Sequence, residues 1–93
     1  ILSQRLVKEG ALYYENNKYQ GRCNASGENV RRIREGKKLS QEQLAAWLQL
    51  EGLYINQKAI SRIETGERVV ADYELLYLAK VLRVRVEDLL GKE

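Results

Sequence analysis

The chain has 93 residues, 44% hydrophobic and 31% charged, with a net charge of +3 and a pI near 9.1. That length suits one domain with a small core, and the basic balance leans towards a polyanionic partner without a histone-like excess. With one cysteine and no histidine, an internal disulfide, a Cys/His zinc cluster and histidine-based acid–base chemistry are excluded. Paired catalytic carboxylates and a phosphate loop are not evident either, so neither an enzyme nor a cofactor or metal is expected. No apolar run approaches the ~20 residues of a membrane span, and the N-terminus lacks a secretory signal, so a cytoplasmic protein is expected. Beginning at Ile1 with no methionine, the chain is expected to be a trimmed or processed product.

Residues 1–25 read as an N-terminal extension. Leu2, Leu6 and Val7 fit a short amphipathic helix over 1–10. Residues 11–21, with Leu12, Tyr13, Tyr14 and Tyr19, fit a small hairpin turning at Asn16-Asn17, where asparagine tolerates positive φ. A two-stranded ribbon is marginal alone, so the extension must pack, pair with another subunit or stay mobile. Its tyrosines have the rings to stack on bases, but burial of an amphipathic ring is the expected role. Cys23 has no base to activate it and reads as a bystander. Asn24-Ala25-Ser26 matches a glycosylation acceptor by chance.

Residues 26–93 are more regularly punctuated. Ser26 caps a predicted helix over 27–35, with Val30 and Ile33 inward and Gly36 as its exit. Leu39-Ser40-Gln41-Glu42-Gln43-Leu44 carries two start signals, a capping box between Ser40 and Gln43 and a hydrophobic staple between Leu39 and Leu44. The second helix runs over 41–51, with Leu44, Ala45 and Leu48 inward, and Gly52 ends it. After a turn at 53–55, residues 56–66 (N-Q-K-A-I-S-R-I-E-T-G) form a third helix. Asn56 is its N-cap, Ile55 and Ile60 its staple, and Gly66 its left-handed exit. Ile60 and Ile63 face inward, while Gln57, Lys58, Ser61 and Arg62 project outward. These four are the side-chain types that reach base edges and phosphates in a major groove, although an ordinary solvated face has the same composition. A fourth helix over 72–82 buries Leu75, Leu78, Ala79 and Leu82, and a short fifth over 86–90 stops before Gly91. Five short helices that cannot bury their apolar faces singly imply a compact all-α fold, with the second and third as a helix-turn-helix.

L-S-Q-E-Q-L-A over 39–45, I-S-R-I-E-T-G over 60–66 and L-A-K-V-L over 78–82 resemble the Cro/phage-repressor (XRE) helix-turn-helix transcription factors, in register over about residues 27–90. The resemblance implies sequence-specific binding of double-stranded DNA by a prokaryotic or phage-type regulator, with a recognition helix over about 57–65. By position it implies base readout by Gln57, Lys58, Ser61 and Arg62. It implies backbone contacts from Gln41, at a helix N-terminus suited to phosphate, and from Thr65 and Arg68, with Lys37 and Lys38 adding from the first turn. It also implies an ion pair between Arg34 and Glu64 that fixes the third helix against the first.

Three features depart from that pattern. Residues 49–54 lengthen the connection between the second and third helices. Ala71 and Arg85 stand where the family often caps with Ser or Thr, so the last two helices either fray or use Asp72 as a substitute cap. Trp47 either covers the long turn or joins a dimer contact, burial within the chain being the expected outcome. The resemblance also implies a homodimer, at least on DNA, on a two-fold operator. Its contact would be the last helix, through Val86 and Leu90, or the tyrosine-bearing extension. The competing class is a protein-interaction or antitoxin-like module with the same fold, against which Lys58, Arg62 and Arg68 weigh.

Overall fold

A computed structural model describes residues 18–91. The helix expected over 1–10 and the turn at Asn16-Asn17 lie outside these residues. Five helices follow in order: α1 (Gly27–Gly36), α2 (Gln41–Leu50), α3 (Gln57–Thr65), α4 (Asp72–Leu82) and α5 (Val86–Leu90). Among the described residues there is no strand. The arm ahead of α1 turns at Gln20 and Gly21, both at positive φ (53° and 80°), a geometry that favours a tight two-residue turn. It closes through paired backbone bonds between Tyr19 and Arg22.

Local chemistry explains most boundaries. Ser40 Oγ accepts from Gln43 N–H at 3.0 Å while Gln43 Oε1 accepts from Ser40 N–H at 2.8 Å, so α2 opens on the expected reciprocal box. Asn56 Oδ1 accepts from Ala59 N–H at 2.9 Å, and Gly66 leaves α3 at φ 84°. Three expected punctuation marks move. Ser26 is buried but accepts no capping bond; Asn24 Oδ1 takes the Gly27 N–H at 2.7 Å in its place. The left-handed residue after α1 is Lys38 (φ 59°) rather than Gly36, which is still helical. At the start of α4 the Ala71 N–H goes to Glu74 Oε1 at 2.9 Å, and Asp72 is not the cap.

The core is one cluster contributed by all five helices and the α2–α3 turn. Val30, Leu44, Leu48, Ile60, Ile63, Leu78, Leu82 and Leu89 are fully buried, and Leu53 and Ile55 close it beneath the turn. These apolar side chains dominate the stabilisation of the fold, each fully buried one adding about 1.5–3 kcal/mol before entropy is counted. Helix α3 packs on both α1 and α2, while α4 and α5 back the pair. The long α2–α3 connection is braced: Leu53 N–H returns to Leu48 O at 2.9 Å, Gln49 Nε2 donates to Ile55 O at 2.9 Å, and Gly52 takes φ 107°.

Candidate nucleic-acid interface

The amphipathic spacing of α3 places Ile60 and Ile63 in the core and leaves the opposite face to water. Lys58 and Arg62 are exposed there, and Gln57 and Ser61 are partly covered. The ion pair of Arg62 with Glu67 is loose, at 3.9 Å and with both side chains over half exposed, too solvated to hold it in place. Thr65 is exposed and donates Oγ1–H to Arg62 O at 3.3 Å; Lys37 and Lys38 are exposed between α1 and α2.

Beneath this face lies a relay of side chains. Arg34, from the last turn of α1, donates Nε–H to Glu64 Oε2 at 2.6 Å and Nη2–H to Oε1 at 3.0 Å, and its Nη1 holds Leu39 O at 2.7 Å. The two side chains are 9% and 2% exposed, so the pair is desolvated and bidentate, a geometry peculiar to arginine. Hydrogen bonding to Glu64 raises the Arg34 pKa above its ordinary value, outweighing the burial that lowers it. Gln41, first residue of α2, then donates Nε2–H to the same Glu64 Oε1 at 2.9 Å, and Gln57, first residue of α3, donates Nε2–H to Gln41 Oε1 at 2.7 Å.

The direction of this relay follows from its root. An ionised carboxylate only accepts, so Gln41 must turn its amide nitrogen to Glu64 and its oxygen to Gln57. Gln57 must then offer nitrogen to Gln41. One of its two N–H groups is used, leaving the other and Oε1 for an outside partner. Two amides and a cation thus share the end of α3 that lies beside the N-terminus of α2.

Arg68, expected at the phosphates, is paired within the chain. Its Nη1 and Nη2 bind Glu74 Oε1 and Oε2, both at 3.0 Å, and Nη1 also reaches Val69 O at 3.1 Å. The guanidinium is committed to closing the loop between α3 and α4. Trp47 is not buried within the chain: it is 52% exposed, beside Leu50 at 82% and with Tyr54 at 83% in the following turn. The α2 periodicity puts Trp47 at the margin of the Leu44–Leu48 stripe, which is why its burial was not secured.

A family model described as a helix-turn-helix domain matches residues 27–90. The chain belongs to the helix-turn-helix family. No curated protein and no solved structure matches it. Membership supports DNA binding with a regulatory role. Among the described residues no helix is long and apolar enough to cross a membrane, and no group of His, Cys, Asp and Glu side chains is placed to hold a metal ion.

Residues 22–24 were missed as part of the positioning apparatus. Arg22 Nη2 donates to Glu64 O at 2.6 Å, and Asn24 Nδ2 donates to Ile63 O and Arg68 O at 3.0 and 2.7 Å. The signal available was Asn24 three residues before Gly27, a spacing at which an Asx side chain caps a helix start.

Proposed function

We propose that this protein is a sequence-specific double-stranded DNA-binding regulator of the Cro/phage-repressor (XRE) type, acting in the cytoplasm, with α3 in the major groove. The observation that carries the reading is the relay from Arg34 through Glu64 and Gln41 to Gln57, which presents an amide of fixed orientation beside Lys58 and Arg62. An amide with one N–H and its oxygen free matches the N7 and N6–H₂ edge of adenine, and a lysine or arginine matches O6 and N7 of guanine. Gln57, Lys58 and Arg62 read bases, with Ser61 beside them. Gln41, Thr65, Lys37 and Lys38 meet the phosphates, a share that is nonspecific and salt-sensitive. Arg68 contributes to the phosphate field only as a charge already paired with Glu74.

Two-fold operators bound by homodimers are part of this proposal, since one half-site offers a small contact. A protein-partner role, dimeric or antitoxin-like, is the second reading. It is favoured by Trp47, Leu50 and Tyr54, which are all at least half exposed along one stretch of α2 and its turn.

Selection of bound sequences from a random duplex pool tests the main reading. Gln57→Ala and Arg62→Ala should each lose preference at particular base pairs, by about 1–3 kcal/mol. Uniform weakening across sequences would reassign these residues to the phosphates. Absence of any duplex binding at low ionic strength would sink the proposal.

A further inference from the structure

Asn24 lies outside the segment that the family model matches, yet its buried carboxamide spans two helices. Its Oδ1 accepts from the first N–H of α1 at 2.7 Å. Its Nδ2 donates to Ile63 O at 3.0 Å, in the last turn of α3, and to Arg68 O at 2.7 Å, beyond the exit. The neighbouring arm residues point the same way. Cys23 N–H binds Gly66 O at 2.8 Å, and Arg22 Nη2 binds Glu64 O at 2.6 Å while its side chain crosses the face of Gly66.

The last carbonyls of a helix have no partner within it. Here the arm supplies donors to the carbonyls of residues 63, 64, 66 and 68, that of Ile63 also taking the Gly66 N–H at 3.1 Å. Gly27 completes the seat, because a Cβ there would overlap the carbonyl oxygen of Ile63 and lie 2.9 Å from Asn24 Oδ1. The start of α1 is therefore pressed directly against the exit of α3. Arg62 and Thr65 stand on that same turn.

We infer that Asn24 is a positioning residue for DNA readout: it touches no DNA, but it fixes the last turn of the recognition helix and hence the placement of Arg62 and Thr65. This rests on the function proposed above. A cap that merely stabilises α1 would need only Oδ1, whereas positioning needs the two donations from Nδ2. Asn24→Asp separates them, because a carboxylate keeps the acceptor for Gly27 N–H and cannot donate.

The test compares wild type, Asn24→Asp and Asn24→Ala for the ratio of affinities for selected over random duplex, and for amide exchange at Gly66 and Glu67. The added charge of aspartate weakens binding to all duplexes alike, so it cancels in the ratio. Both variants should lower the ratio about tenfold and speed exchange by a similar factor, the size expected for one or two lost buried hydrogen bonds. Asn24→Asp with a wild-type ratio, or with unchanged exchange, overturns the inference. Arg22→Ala, which removes the bond to Glu64 O, the 3.6 Å pairing with the exposed Glu28 and the cover over Gly66 but leaves Asn24 in place, keeps the test decisive should the Asn24 variants not fold: a smaller fall in the ratio supports the inference, and an unchanged ratio counts against it. Wild-type protein that binds no duplex sinks the proposed function and this inference together, whereas selective wild-type binding with unaltered variants sinks the inference alone.

Discussion

Arg34–Glu64 and Arg68–Glu74 are made of the same two groups, each closed by two N–H···O bonds, and they behave as different devices. The first is sealed, with side chains 9% and 2% exposed, while Arg68 in the second is 31% exposed beside a buried carboxylate. They differ also in what the remaining acceptor capacity receives. Glu64 Oε1 takes Gln41, and through it Gln57 at the surface; Glu74 Oε1 takes the Ala71 N–H and so starts α4. An arginine–carboxylate pair is thus the root of an outward-facing amide in one place and a helix cap in the other. The pairing alone does not distinguish these roles, but the third hydrogen bond does.

The largest effect should come from breaking the sealed pair. Glu64→Ala leaves the Arg34 guanidinium buried with only the half-exposed Glu35, 3.8 Å away, as counter-charge and frees Gln41, and should cost about 3–5 kcal/mol in urea unfolding. Glu74→Ala lets Arg68 relax into water, so only a partly screened pair and one cap are lost, about 1–2 kcal/mol together. Equal costs would mean that burial does not separate the two pairs. Gln41→Ala sharpens the contrast, since it leaves Arg34–Glu64 intact and cuts the relay beyond it. Stability should fall by about 1 kcal/mol or less, whereas under the proposed function the base preference assigned to Gln57 should weaken. Retained preference would show that Gln57 needs no orientation from below.

Features written in local sequence were legible without coordinates. The Ser40–Gln43 box, the Asn56 cap and the Gly66 exit each depend on residues within one helical turn, and the core faces of α2 to α4 follow from spacing alone. The outward set on α3 was readable for the same reason. What escaped depends on partners far along the chain. The seat of Asn24 is made by residues 63 and 68, and Glu74 captures Arg68 across an irregular loop that has no period to read. Ser26 looked the better cap because it adjoins Gly27, but its backbone is already helical (φ −103°, ψ −16°), whereas a capping residue needs the extended region. Lys38 rather than Gly36 turns left-handed because α1 runs on through Gly36 and two further residues bend back, with Leu39 N–H bonding Arg34 O at 3.1 Å.

The smallest expected effect is also the one whose sign separates the cap from ordinary surface charge. Hydrogen bonding from Arg68 holds the Glu74 carboxyl below its ordinary value of 4.5, outweighing burial, which acts the other way. A folded-state pKa below the unfolded one means that the folded chain binds fewer protons in that range. The stabilisation is therefore complete above about pH 4.5 and is lost as pH falls through the lower folded value. Asp88 is lowered as well, chiefly by the Arg85 backbone N–H, but its side chain is 42% exposed and it contributes less. Urea midpoints followed from pH 7 into acid should fall for wild type below the ordinary carboxylate range. Glu74→Gln should start lower, fall less steeply and approach wild type at the acid end, while Asp88→Asn should follow wild type closely. If Glu74→Gln ran parallel to wild type throughout, the acid loss would belong to other carboxylates, and Arg68 would be acting as a loop latch whose partner's charge is immaterial.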